Sequence, residues 1–440
     1  MVCDISLIYK YIMRIDNEIS ILDFAFAISE TVDLVAPELN NHHKRVAYIS
    51  CNIALVLGIP YDEIEDIVLA AVLHDIGAFS VEERIDLLTL DSYDLAHNEH
   101  ALYGYELLKG FKPLAKASEL IANHHIEYDK QDPVMPIGCH IIHLSDRVSV
   151  WIDDKRDINE QIPEIKETVR QNRNMFHPGA IAALGRLCEK EYFLIEAFSS
   201  SLSMISLEKI RFTNMIADFE TLWGFAKVLS HIIDFRCRFT ATHSSGVAAV
   251  AKDIADILGF SNRECYMIEI AGFLHDLGKL AVPSSILYKN GPLIAKEKSK
   301  VETHAYYTYA ILRKIAGMKD IAEWAAYHHE KINGNGYPFH IKKGDFSMFA
   351  RVMAVADILT AITEDRPYRL GMNREKAMRV LSEMADKGSI DKVVVELIRE
   401  YYPRINNVRI KSQKAALKEY EAFRKGVPEY SETGYALNTA

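Results

Sequence analysis

Ten of the chain's 17 histidines fall into two ordered sets, each interleaved with aspartates. The first set is His42, His74-Asp75, His100, His124-His125 and Asp146; the second is His243, His275-Asp276, His304, His328-His329 and Asp357. A spacing of 32 residues separates His42 from His74 and again His243 from His275, and 24 residues separate His100 from His124 and His304 from His328. From doublet to closing aspartate the gap is 22 residues in the first set and 29 in the second, which marks an insertion in the second copy. Imidazoles suit transition ions such as iron, manganese, zinc and nickel, and a carboxylate can bridge two ions held ~3.5–4 Å apart. A lone His-Asp pair carries little weight. Five histidines and two aspartates recurring at matched offsets make metal binding the expected chemistry, and the chain is a tandem duplication at the level of its sites.

The elements that must position these groups read as helices. Ile64, Ile67, Val68, Ala71 and Val72 follow the i, i+3, i+4, i+7 spacing of an amphipathic helix, and Met267, Ile270, Ala271 and Leu274 repeat it. Neighbouring side chains on a helix diverge by about 100°, so in each His-Asp pair one group can cap an ion while the other bridges. Strand-like alternation is scarce, and breaks fall at Gly58-Ile59-Pro60, Gly259-Phe260-Ser261-Asn262 and the Asn333–Pro338 loop. The expectation is an all-α fold of two tandem helical domains, over residues 20–200 and 216–405. Ser199-Ser200-Ser201 reads as a loop between them, followed by a helix leading into the second domain. A charged tail over 406–440 carries Lys411, Lys414 and Lys418 on one helical face, which reads as solvated.

Composition narrows the functional classes. At 440 residues the chain has room for two or three domains, and 49% hydrophobic with 25% charged residues excludes a mainly disordered chain. A net charge of −10 argues against broad adhesion to DNA or to anionic lipid. No apolar run approaches the ~20 residues that span a bilayer, and the first ten residues, with Asp4 and Lys10, lack a basic-then-apolar signal pattern. A soluble, cytoplasmic protein without DNA or membrane partners is expected. The six cysteines are scattered with no C-x-x-C pair, and are expected reduced and buried.

At His275-Asp276-Leu277-Gly278-Lys279 and at His328-His329-Glu330-Lys331-Ile332-Asn333-Gly334-Asn335-Gly336-Tyr337-Pro338 the chain resembles the HD-GYP family, a branch of the HD phosphohydrolases. Asp357 and Asp365-Arg366-Pro367-Tyr368-Arg369 extend the likeness over most of residues 220–400. Residues 30–150 resemble a plain HD domain through His74-Asp75-Ile76-Gly77. The resemblance implies an all-α fold and a bi- or trinuclear centre, commonly of iron or manganese, with nickel, zinc and magnesium as alternatives. It implies hydrolysis of a cyclic dinucleotide, c-di-GMP or 3′,3′-cyclic GMP-AMP, to a linear dinucleotide and on to mononucleotide. Carried over, the ligands would be His243, His275, Asp276, His304, His328, His329 and Asp357, with Asp276 bridging. Two ions would lower the pKa of a water between them, giving a hydroxide for in-line attack on phosphorus. Lys279, four residues after His275 and so on the same helical face, would contact the phosphate or the leaving 3′-oxygen. Gly336, Tyr337, Pro338 and Arg366 would form the substrate side. A non-catalytic cyclic-dinucleotide sensor and an HD phosphohydrolase acting on another nucleotide stand as alternatives. The tail and the interdomain helix are suited to a homodimer.

Three departures qualify the resemblance. Asn333 replaces the usual aspartate before the Gly-x-Gly-Tyr-Pro loop. Phe239 lies four residues before His243, where trinuclear members carry a glutamate, which favours two ions. The first copy has Glu38 in that place and a full potential set in Glu38, His42, His74, Asp75, His100, His124, His125 and Asp146. Yet it has Ala78 in place of Lys279, and Ile126-Glu127-Tyr128-Asp129 in place of the Gly-Tyr-Pro loop. A regulatory or structural first domain is expected.

Overall fold

The computed structural model describes residues 19–33, 41–78, 99–130, 135–199, 216–235, 240–287, 289, 291–342, 346–365 and 370–427. Glu38, Phe239 and Arg366 lie outside the described residues. The first half runs α1 (Ile21–Asp33), α2 (His42–Leu57), α3 (Tyr61–Leu73), α4 (Glu99–Leu108), α5 (Ala115–Ala122), α6 (Ile137–Trp151), α7 (Ile158–Gln171), α8 (Pro178–Leu187) and α9 (Glu191–Phe198). The second runs α10 (Phe219–Asp234), α11 (His243–Ile257), α12 (Asn262–Leu274), the short α13 (Ser284–Leu287), α14 (Ala295–Leu312), α15 (Lys319–Ala326), α16 (Met348–Thr363), α17 (Arg374–Asp386) and α18 (Lys392–Gly426). The fold is all-α, as expected. The strands among the described residues are β1 (Ile19–Ser20) and β2 (Ile216–Ala217), paired antiparallel so that they tie together the entrances of the two halves.

Local chemistry sets the helix starts. Ser261 and Glu264 form a reciprocal cap at the head of α12. Asp218 accepts from the Thr221 amide at the head of α10, and Asp391 accepts from Val393 and Val394 at the head of α18. The duplication is plain in the elements: α1 to α6 recur as α10, α11, α12, α14, α15 and α16. His42 and His243 open α2 and α11, the His-Asp pairs follow α3 and α12, and His100 and His304 ride α4 and α14. The histidine doublets follow α5 and α15, and Asp146 and Asp357 sit within α6 and α16.

In each half one helix is central. α2 packs against α3, α6 and α8, while α11 packs against α12, α16 and α18. The two cores are continuous. α1 leans on the second half through α14 and the turn at Leu277–Ala281, and α10 leans on α4 of the first half. Phe24 and Phe225 meet edge to face across that contact, ring centres 5.2 Å apart.

The boundary expected at 405 falls inside α18, which continues to Gly426 past non-helical backbone at Tyr401 and a proline at 403. Residues 406–427 are therefore no separate tail, because Ile405, Arg409, Ala416 and Phe423 are buried against the body of the protein. Lys411, Lys414 and Lys418 on the other face are exposed, as read from the sequence. Cys51, Cys139, Cys188 and Cys265 are buried free thiols; Cys3 and Cys237 lie outside the described residues. Among the described residues no helix is long and apolar enough to cross a membrane.

Candidate metal centres

Three rings of the second half are fixed in the same way. Each donates from Nδ1 to a carbonyl three residues back: His275 to Gly272 at 2.8 Å, His304 to Val301 at 2.6 Å and His328 to Ala325 at 2.6 Å. That bond sets the tautomer and turns the Nε2 lone pair inward, as a metal ligand requires. Donor atoms of His243, His275 and Asp276 lie within 4.8 Å of one another, and so do those of His304, His328 and His329. Asp276 reaches both groups, with Oδ2 3.3 Å from His275 Nε2 and Oδ1 3.4 Å from His304 Nε2. Asp357 Oδ1 stands 3.2 Å from His243 Nε2. The structure thus brings together all seven residues expected as ligands. A desolvated set of imidazoles and carboxylates with converging lone pairs fits divalent transition ions.

For His275, His304 and Asp276 the electrostatics match that use. Burial pushes His275 down to about 4 and His304 to about 3, so both imidazoles are neutral near pH 7. Burial would raise Asp276, but His275, Lys279 and His304 around it outweigh that and hold it well below the carboxylate range. His243 is driven the other way: against burial, Glu364 and Asp357 on its two nitrogens raise it well above its ordinary value.

Lys279 reaches Asp276 by a route the sequence reading did not anticipate. The α-helix ends at Leu274, and residues 277–281 wind as a tighter 3-10 turn. The ammonium therefore comes back at i+3 onto Asp276 Oδ2, 2.6 Å away. Gly278 permits this: a Cβ there would lie 2.0 Å from the His304 carbonyl oxygen. The missing side chain lets the His-Asp segment close directly on the helix that carries His304.

In the Gly-Tyr-Pro loop, Tyr337 faces the His329 ring with centres 4.8 Å apart, and its amide donates to the His329 carbonyl at 3.3 Å. Gly336 is buried, and a Cβ would sit 2.3 Å from the Lys331 nitrogen, so its bareness serves closure of the loop on itself. Asn333 holds the turn by accepting from the Asn335 amide, away from the donor atoms. Pro338 follows a cis peptide bond.

Several residues escaped the sequence reading. Glu330 is 2% exposed and accepts from the Phe339 and Ile341 amides, anchoring the loop. Glu364 Oε2 lies 3.2 Å from His243 Nδ1 and accepts from Gln413 of α18. Asp234 accepts from the amide and hydroxyl of Ser244, and burial pushes its carboxyl up to about 7. Only the position of Glu330 beside the histidine doublet offered a signal.

The first half builds a closely related cluster. His74 and His124 donate from Nδ1 to Ala71 and Ile121. His42 Nε2 lies 3.3 Å from Asp146 Oδ1, and His100 Nε2 lies 3.4 Å from Asp75 Oδ1. His125 Nε2 is 3.0 Å from His100 Nε2. Two residues absent from the sequence reading join it: His43, whose donor atom groups with those of His74 and Asp75, and Arg147, which donates to Asp146 Oδ2.

Comparison with known proteins agrees with this layout. A family model described as an HD domain matches residues 227–394, and another HD domain model matches residues 40–151. The chain is 25% identical over 408 residues to 3′3′-cGAMP-specific phosphodiesterase 1 of Vibrio cholerae, covering 89% of this chain and 94% of that protein. It is 28% identical over 244 residues to a cyclic di-GMP phosphodiesterase of Thermotoga maritima, covering 54% of this chain and 63% of that one. The crystal structure of a cyclic GMP-AMP specific phosphodiesterase from V. cholerae shares the fold, with a TM-score of 0.60 and 20% identity over 91% of this chain and 98% of the other. With both histidine clusters inside matched segments and the Gly-Tyr-Pro signature in the second, the chain belongs to the HD-domain family as a tandem HD protein whose C-terminal half is of the HD-GYP type.

Proposed function

We propose that the C-terminal centre is a metal-dependent phosphodiesterase that opens a cyclic dinucleotide to its linear form and on to mononucleotide. The observation that carries this reading is the Lys279 ammonium, 2.6 Å from Asp276 Oδ2 with 29% of the side chain exposed. It places a cation on the carboxylate that joins both imidazole groups, at a point substrate can reach. Two ions, iron or manganese, held by His243, His275, Asp276, His304, His328, His329 and Asp357 would supply a water of lowered pKa and Lewis-acid stabilisation of phosphoryl oxygens.

The chain's own groups do the rest. The Nδ1 bonds keep three rings from turning away from the site. Lys279 neutralises charge that grows on the phosphoryl oxygens and on the departing 3′-oxygen. Tyr337 holds His329 in place through ring and backbone contacts. The relative that spans nearly the whole chain is named for 3′3′-cGAMP, which makes that compound the first substrate to offer and c-di-GMP the second.

The test is an anaerobic assay of the full chain with Fe²⁺ or Mn²⁺, offering both compounds in parallel and separating products by chromatography. A linear dinucleotide or mononucleotide product supports the reading. No product from either, with bound metal verified, contradicts it.

A further inference from the structure

The first histidine of each set is held at its Nδ1 in a different way. In the first half His42 Nδ1 lies 3.0 Å from Ser149 Oγ, three residues after Asp146. The matching residue of the second half is Thr360, three after Asp357, and its hydroxyl oxygen is buried with no hydrogen bond among the described residues. His243 Nδ1 turns instead to Glu364 Oε2 at 3.2 Å. Glu364 stands just after α16 and is 6% exposed.

The groups behind Glu364 come from α18. Gln413 donates from Nε2 to Glu364 Oε2 at 3.3 Å, and its Oε1 accepts from Arg409 Nη1 at 2.5 Å. Arg409 is buried, and among the described residues its guanidinium donates only to amide oxygens, those of Gln413 and Asn406. Burial lowers its pKa from the ordinary value, against the pull of Tyr402, Glu364 and Asp365. A buried cation without a carboxylate at hydrogen-bond distance is costly. Gln413 joins it to one through a single amide, aligned so that each bond polarises the next.

The fold makes room for this arrangement. Ser412 donates to the Ser245 carbonyl at 2.8 Å, which sets α18 against the head of α11. A Cβ on Gly246 would lie 3.0 Å from Gln413 Nε2 and 2.9 Å from Thr360 Cγ2. In the first half the same position, three residues after the histidine, is Arg45, whose guanidinium reaches the Ser149 carbonyl and Asp154. The bare Gly246 thus leaves to a side chain of α18 the position that Arg45 fills in the other half. Arg409 and Gln413 lie beyond residue 394, where the matched HD domain segment ends.

We propose that Gln413 and Arg409 are positioning residues for the C-terminal centre, acting through Glu364 to fix the His243 ring and strengthen its Nε2 as a donor. A carboxylate that accepts from Nδ1 sets the tautomer of a ligating imidazole and raises its basicity. The proposal rests on the reading that the seven residues hold metal and is independent of the substrate.

The test titrates the metal-free full chain with Co²⁺, whose visible absorption reports coordination, and repeats the titration with His243→Ala. Gln413→Met keeps the length of the side chain and removes its amide. It is expected to lower the affinity by about three-fold or more and to alter the spectrum, and Glu364→Ala does so by roughly ten-fold or more. Neither substitution adds to the loss that His243→Ala causes alone. A folded Gln413→Met chain with the parent's affinity and spectrum overturns the proposal. A loss of the same size in the His243→Ala background also overturns it, because it reports a general weakening of the fold. So does a parent titration that His243→Ala leaves unchanged. If circular dichroism shows that Gln413→Met does not fold, Arg409→Gln takes its place under the same criteria. Hydrolysis by the parent chain is measured separately, and absence of product beside these metal-binding results counts against the phosphodiesterase reading alone.

Discussion

At the scale of single residues, the proposed role of Lys279 would separate binding an ion from using it. Its ammonium contacts Asp276 but is no ligand, so Lys279→Met should leave the bound metal in place while lowering kcat by about 10²–10³, the usual effect of removing one charge-stabilising donor. Metal analysis alongside turnover checks this; metal lost together with activity would make Lys279 a structural prop for Asp276. The convergence of seven residues in the second half was legible because their types and spacing repeat and because the motif resembles a known one. Glu364 was not: it meets His243 across 121 residues, and only the packing of α16 against α11 creates that contact. His43 was hidden for another reason. Nothing in its spacing pairs it with a histidine in the second half, where Ser244 stands, and its closeness to Asp75 depends on how α2 is rotated against the segment after α3.

At the scale of elements, the helices were readable from periodicity, but the point where the α-helix tightens after Leu274 was not. Apolar spacing says where a face is buried and nothing about the hydrogen-bond register at its end. That register decides whether Lys279 returns to Asp276, and the close approach of Gly278 to α14 enforces it. Gly278→Ala would press a Cβ against the backbone at His304 and Thr308. The expected cost is about 1–3 kcal/mol of overpacking strain, seen as a lower Tm and weaker metal binding at the C-terminal centre. A variant with wild-type melting and wild-type metal affinity would show that the segment has room to spare.

At the scale of the whole molecule, the two halves share a core, and α18 ties them. After leaving the second half it packs Phe423 against Tyr103 of α4, with ring centres 6.0 Å apart. Glu419 grips α10 through Lys227 at 2.6 Å and His231 at 3.3 Å. Against the effect of burial, these partners lower the Glu419 carboxyl to about 2, from an ordinary 4.5. A depressed folded value contributes stability that is fully present above the unfolded pKa and is lost as pH falls toward the folded one. Glu419→Gln should therefore lower Tm at pH 7, and its gap from the parent chain should narrow as the pH drops below about 4.5. A gap constant from neutral to acid pH would exclude the ion pair as its source. The continuity of α18 past residue 405 was illegible because its buried positions are widely spaced among charged ones, so composition alone resembled a solvated tail.

Hydrolysis centred on Asp276 is the claim on which the functional account rests. The most direct measurement compares the metal-loaded full chain with its Asp276→Asn variant, each offered 3′,3′-cGAMP and c-di-GMP, with products resolved by chromatography and folding verified. The account predicts linear product from the parent chain on at least one substrate and background only from the variant. Undiminished product from Asp276→Asn, or none from a parent chain shown to hold metal, would contradict it.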